Sequence, residues 1–123
     1  MDNSTTVLLS IPQEAVRQQI SDFLAGTGCR TLAASTEIEA MGIAERHYGA
    51  IDVLLCDMPA CEGSRLVRDL GRLCPGLKAL FISGDPVSVN RELFPDPNVA
   101  FIEKPFAWRE LKHTFESLLQ AGS

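Results

Sequence analysis

Apolar residues in this chain gather into five short runs, each followed by a stretch whose apolar positions recur every three or four residues. The runs are Thr6 to Leu9, Thr31 to Ala34, Ile51 to Cys56, Leu77 to Ser83 and Val99 to Glu103. Runs this short and this apolar suit strands covered on both faces. Between and after them, Val16, Ile20, Phe23 and Leu24 share one helical face. So do Leu66, Val67, Leu70 and Leu73, and again Trp108, Leu111, Phe115 and Leu118. Ile38 and Met41 are expected to start the buried face of a further helix. Pro86, Pro95 and Pro97 leave room only for a short one, over Ser88 to Phe94.

Local punctuation supports this division. Ser10-Ile11-Pro12-Gln13 reads as a capping box, with Ser10 as cap, Pro12 in the first turn and Gln13 reaching back. Gly26 and Gly28 close that helix, and Pro75-Gly76 closes the third. Thr36-Glu37-Ile38-Glu39 is a second capping box. Strand followed by helix, five times over, predicts a doubly wound α/β fold. Its sheet is parallel and five-stranded, with right-handed crossovers and five helices on its two faces. At 123 residues the chain is expected to form one domain, residues 1–123.

Composition narrows the function classes. Apolar residues make up 46% and charged residues 22%, the balance of an ordinary globular protein. The net charge of −5 argues against nucleic acid and anionic membranes as partners, because phosphate groups demand basic patches. Arg65, Arg68 and Arg72 are spaced as a solvated helix face. No apolar run reaches the roughly 18 residues that span a bilayer, and the first residues lack the pattern of a signal peptide. A cytoplasmic location is therefore expected. Cys29, Cys56, Cys61 and Cys74 form no CxxC pair, and no histidine lies at metal-ligand spacing. Although Cys56 and Cys61 flank Asp57, burial as small hydrophobes in a reducing compartment is the expected role of all four.

In open parallel sheets, ligands collect beyond the carboxyl ends of the strands, near a topological switch point. The residues there are Ser10-Ile11-Pro12, Asp57, Ser83-Gly84 and Lys104-Pro105. A sheet ordered 2-1-3-4-5 makes these four ends neighbours. One carboxylate, one hydroxyl and one ammonium then face a common cleft. That set suits covalent capture of a phosphoryl group, with the carboxylate as nucleophile and the cation and hydroxyl on the phosphoryl oxygens. No Gly-rich phosphate loop follows the first strand, which argues against a flavodoxin-like cofactor binder or small enzyme.

Three segments carry a resemblance: Asp52-Val-Leu-Leu-Cys-Asp57 leading into Met58-Pro59 and Gly63, then Phe81-Ile-Ser-Gly84, then Phe101-Ile-Glu-Lys-Pro-Phe106. In this order the chain resembles, over nearly its whole length, the receiver domain of two-component response regulators, a CheY-like, flavodoxin-like fold. The resemblance implies that Asp57 is the phosphoacceptor, served by a histidine kinase or phosphotransfer protein. It implies that Ser83 is the switch hydroxyl, Phe101 the switch aromatic and Lys104 the partner of the phosphoryl oxygens. A cis Lys104-Pro105 bond is implied as well. Phosphorylation in this family biases a face made by the fourth helix, fifth strand and last helix, which also implies a possible homodimer.

Two departures bear on the chemistry. Family receivers end the first strand with two acidic residues that help bind Mg²⁺, and counting back from Ala15-Val16-Arg17 these positions hold Ile11 and Pro12. Neither side chain offers the oxygen that a hard cation needs, so the Mg²⁺ site is expected to be weak or absent. Glu14, Glu62, Asp85 and Glu103 are near in the inferred fold, but none occupies the family position. Met58-Pro59 also follows Asp57 two residues early. An alignment that keeps Met58, Pro59 and Gly63 in register would put Leu55 at the acceptor position; the spacing of Asp52 and Asp57 favours Asp57. Two readings follow: a phosphoacceptor receiver, or a pseudo-receiver that works through phosphorylation-independent protein contacts. No output module accompanies the domain, so it acts alone or belongs to a longer hybrid protein.

Overall fold

The apolar runs become the strands β1 (Thr6–Ser10), β2 (Arg30–Ala34), β3 (Val53–Asp57), β4 (Lys78–Ser83) and β5 (Val99–Glu103). The periodic stretches become the helices α1 (Glu14–Gly26), α2 (Glu37–Arg46), α3 (Ala60–Leu73) and α4 (Trp108–Gln120). The structure, a computed structural model, describes residues 5–57, 60–84, 86, 92 and 96–120. Four helices lie among them. The fifth expected helix, over Ser88 to Phe94, lies outside the described residues apart from Glu92.

All strand pairings are parallel and the order is β2-β1-β3-β4-β5. Strand alternation sends successive side chains to opposite faces. Leu8, Leu54, Cys56, Phe81 and Phe101 go to one, beneath the buried residues of α2 and α3. Val7, Leu55, Leu80, Ile82 and Ile102 go to the other, beneath Ile20 and Leu24 of α1 and Leu111, Phe115 and Leu118 of α4. Both faces are therefore apolar, which is why the strands read as nearly unbroken runs.

Two local expectations are corrected. Ser10 is not a helix cap: it is the last residue of β1, buried, and paired with Ala34 and Cys56. The Ile11 amide continues the extended chain by donating to the Ala34 carbonyl at 3.1 Å. Helix α1 starts later, with Gln13 as its N-cap residue and no side-chain cap bond, so Pro12 lies before the helix. Pairing with strands on both sides outweighs a single cap bond, worth about 1 kcal/mol. Ile38 is the second correction, being 85% exposed. The buried side of α2 is Ala40, Ile43 and Ala44, with Met41 only partly covered. At about 100° per residue, Ile38 points almost opposite to that group.

The second capping box forms with a shift. The Thr36 hydroxyl accepts from the Glu39 amide at 3.1 Å, while the Glu39 carboxylate accepts from the amide of Ser35 at 2.6 Å rather than that of Thr36. At the amino end of the sheet, Asp52 Oδ2 accepts from the Thr6 amide at 2.8 Å. Lys78 Nζ donates to the Leu119 carbonyl in the last turn of α4, also at 2.8 Å. These two contacts fix strand and helix ends far from the carboxyl edge. Arg65, Arg68 and Arg72 are exposed on α3, as their spacing predicts.

Candidate functional site

The register brings the strand-end residues to one level. Asp57 stands opposite Ile82, so Ser83 is one residue further along its neighbour. Ser83 stands opposite Glu103, one residue before Lys104. Ser10 stands opposite Cys56, which sets Ile11 level with Asp57 on the other side.

Alternation along β3 turns Val53, Leu55 and Asp57 toward α1 and α4. Leu55 is fully buried in that core, whereas Asp57 comes where the strand runs out. Alternation along β5 and beyond sends Ile102 and Lys104 to the same side. The two charged side chains meet there. Lys104 Nζ lies 2.6 Å from Asp57 Oδ1 and 2.8 Å from Oδ2, so one ammonium serves both carboxylate oxygens. The aspartate side chain is 11% exposed and that of the lysine 41%. The carboxylate is thus held from inside while its partner stays in contact with water. The Lys104 amide also donates to the Ser83 carbonyl at 2.8 Å, which ties the start of this loop to the end of β4. The Lys104-Pro105 bond is cis.

Ser83 is buried at the end of β4. Phe101 is 6% exposed and lies flat against Phe81, ring centroids 5.4 Å apart and planes 14° from parallel. The aromatic at this position therefore faces inward.

An open groove of about 590 Å³ runs from the Asp57–Lys104 pair between α1 and the start of α4. Val16, Ile20 and Ile82 form its floor, Gln13 and Gln19 one rim, and Phe106 and Trp108 the other. Trp108 is held by a stacked contact with Phe23 at 5.2 Å and an edge contact with Phe106 at 5.9 Å. This groove carries no motif, because its residues come from four separate segments.

Among the described residues, the donor set for Mg²⁺ does not fit. Ile11 is fully buried, and its carbonyl oxygen accepts from Arg17 Nη1 at 2.7 Å. The Pro12 carbonyl accepts from the same nitrogen at 3.4 Å. Among the described residues, no three of His, Cys, Asp and Glu come together as metal ligands. Glu14 and Glu103 are exposed and take no part in such a group, while the side chain of Glu62 and the whole of Asp85 lie outside the described residues. A hard cation requires several oxygens at once, and among the described residues Asp57 is joined by no second carboxylate in such a group. Arg17 carries no motif of its own, and its place six residues after Ile11 is the only sequence signal of this contact.

Cys29, Cys56 and Cys74 are buried free thiols, as expected; the Cys61 side chain lies outside the described residues. Cys56 faces away from Asp57. Burial first, and then the Asp57 charge, push its thiol well above its ordinary value of 9.0. The folded thiol keeps its proton where the unfolded one loses it. The associated stability is thus complete below pH 9.0 and declines as the pH rises past it, by up to about 1.4 kcal/mol per unit. Denaturant titrations on both sides of that pH should show this decline, and Cys56→Ala should make it shallower.

No protein-family model matches the chain. Over 123 residues it is 32% identical to the sensor kinase CckA of Brucella abortus (strain 2308), a match covering 98% of this chain and 13% of that protein. The chain thus spans about an eighth of the length of this curated relative. The crystal structure of the receiver domain from the hybrid histidine kinase CckA superposes with a TM-score of 0.77 at 28% identity. That match covers 94% of this chain and 99% of the other. A response regulator receiver protein from Sinorhizobium medicae WSM419 gives a TM-score of 0.80 at 23% identity, covering 96% of each chain, a likeness of fold. No helix among the described residues is long and apolar enough to cross a membrane. The sheet order, the residues at its carboxyl edge and a matching domain of equal extent lead to one conclusion: the chain has the fold of the CheY-like receiver domains of two-component systems and is similar to them over its length.

Proposed function

We propose that this domain accepts a phosphoryl group on Asp57 from a phosphohistidine of a histidine kinase or phosphotransfer protein. The observation that carries the reading is the Lys104 ammonium on both oxygens of Asp57, at the open end of a groove. In the transfer, an Asp57 oxygen attacks phosphorus and an oxygen–phosphorus bond forms. The donor's phosphorus–nitrogen bond breaks, and its electron pair stays on the imidazole. Little covalent work falls to the protein; positioning and charge compensation supply the acceleration. Lys104 is already placed to follow the charge onto the phosphoryl oxygens, and the Ser83 hydroxyl is the candidate second donor.

Switching follows from packing. Phe101 is buried against Phe81 in the unmodified domain. A phosphoryl group that draws Ser83 toward it disturbs the end of β4 and thereby the neighbouring β5. The readout is a changed partner face on β5 and α4, which also serves as the homodimer face. The names of the matched proteins, a sensor kinase and a hybrid histidine kinase, fit a receiver working in the cytoplasm within a phosphorelay.

One observation favours the pseudo-receiver instead: among the described residues no group of metal ligands forms around Asp57, and the Ile11 carbonyl is taken by Arg17. Phosphoramidate, added with and without Mg²⁺, separates the two. Intact-protein mass spectrometry should show one added phosphoryl group, and Asp57→Asn should remove it. Absence of any adduct under both conditions would leave the pseudo-receiver standing.

A further inference from the structure

We infer that Arg17 takes over the charge role of the divalent cation at this acceptor, so that modification of Asp57 proceeds without Mg²⁺. This rests on the phosphoacceptor reading and deepens it. Three observations carry it. First, the two positions that would hold metal-binding carboxylates are Ile11, fully buried, and Pro12, and the Ile11 carbonyl is taken by a guanidinium nitrogen at 2.7 Å. A cation already sits at the carboxyl end of β1. Second, the register sets Ile11 level with Asp57 on the adjacent strand. Strands are spaced about 4.8 Å apart, which keeps the Arg17 charge within roughly one Debye length of the acceptor. Third, the other side of the carboxylate is covered by Lys104.

Lys104 thus holds the Asp57 carboxylate directly, while Arg17 holds the carbonyls of Ile11 and Pro12 at the end of the adjacent strand, the two positions that carry acidic side chains in the family. Two acidic side chains and one divalent cation cancel in charge, so their loss alone changes nothing, and Arg17 adds one positive charge that a phosphoryl group arriving at Asp57 meets. Arg17 has further N–H donors beyond the nitrogen that holds the Ile11 and Pro12 carbonyls, in a planar fork suited to phosphoryl oxygens. Those carbonyl bonds fix the start of the fork and limit the rotamer freedom lost when an anion arrives.

The test uses phosphoramidate as donor, whose phosphorus–nitrogen bond breaks with loss of ammonia as the Asp57 oxygen–phosphorus bond forms. Adduct formation is followed by intact mass for the wild type, Arg17→Gln and Arg17→Lys, each with EDTA and with millimolar Mg²⁺. The expected result is a wild-type rate that differs less than about twofold between the two conditions. Arg17→Gln should be slower by about tenfold, the loss of one charge-assisted interaction in the transition state, and Arg17→Lys should recover most of it. Circular dichroism melting of both variants shows whether each is folded at the assay temperature. If Arg17→Gln is unfolded there, the EDTA comparison on the wild type decides alone. A wild-type adduct that forms only with Mg²⁺ overturns the inference and leaves the acceptor reading intact. So does a folded Arg17→Gln protein with an unchanged rate. No adduct under any condition removes the acceptor reading and this inference together.

Discussion

Gly63→Ala is expected to destabilise the domain by about 1 kcal/mol net, although alanine is the better helix former. Gly63 lies in α3 directly over Phe81, and a Cβ there would overlap the phenyl ring, with three ring carbons inside ordinary contact distance. Phe81 has nowhere to go. It is fully buried and stacked on Phe101. Overpacking of this kind costs about 1–3 kcal/mol, against which alanine recovers about 1 kcal/mol of helix propensity. The Tm should fall by several degrees, on the order of 4 °C per kcal/mol for a domain of this size. Phe81→Leu removes the ring that causes the overlap, so the double variant should lose less than the two single losses added together. Simple additivity would show that Gly63 is not where α3 meets the sheet. The contact also links the helix that follows Asp57 to the aromatic pair on β4 and β5, and Phe101 mobility is a natural second readout.

Lys104→Met is expected to slow phosphorylation of Asp57 about 100-fold, the scale for losing a donor aimed at developing charge. Methionine keeps the length of the side chain and removes the ammonium that lies 2.6 and 2.8 Å from the carboxylate oxygens. Lys104→Arg keeps the charge with a broader head group and should fall between the two. The pair is partly open to water, so the effect on stability should be small, below about 1 kcal/mol. Rate and stability are therefore expected to separate. Equal losses in both would mean that Lys104 serves the fold rather than the chemistry.

The carboxyl edge was legible because each strand there ends in a change of polarity. Val99 to Glu103 emerges with the expected limits, bounded by Pro97 and by Lys104-Pro105. Asp57, Ser83 and Lys104 stand out for the same reason: each closes an apolar run. Ser10 was ambiguous because a serine suits a helix cap and a strand end equally well. Its neighbours Ala34 and Cys56 decide the matter, and they are distant in sequence. Ile38 misled because periodicity was counted on large apolar residues, while α2 approaches the sheet through Ala40 and Ala44. Arg17 was hidden more deeply, since its partners are backbone carbonyls, which every residue has. The Gly63–Phe81 contact joins two elements, and although both residues lie in recognisable segments, nothing in either segment says that they meet.

The central claim is that Asp57 itself forms the acyl phosphate, and borohydride trapping tests it most directly. Borohydride reduces an aspartyl phosphate to homoserine, which peptide mass spectrometry locates to a single position. After treatment with phosphoramidate, homoserine is predicted at position 57 and at no other aspartate, and not at all when the donor is omitted. Homoserine elsewhere, or a phosphoryl adduct that leaves residue 57 unreduced, would contradict the account.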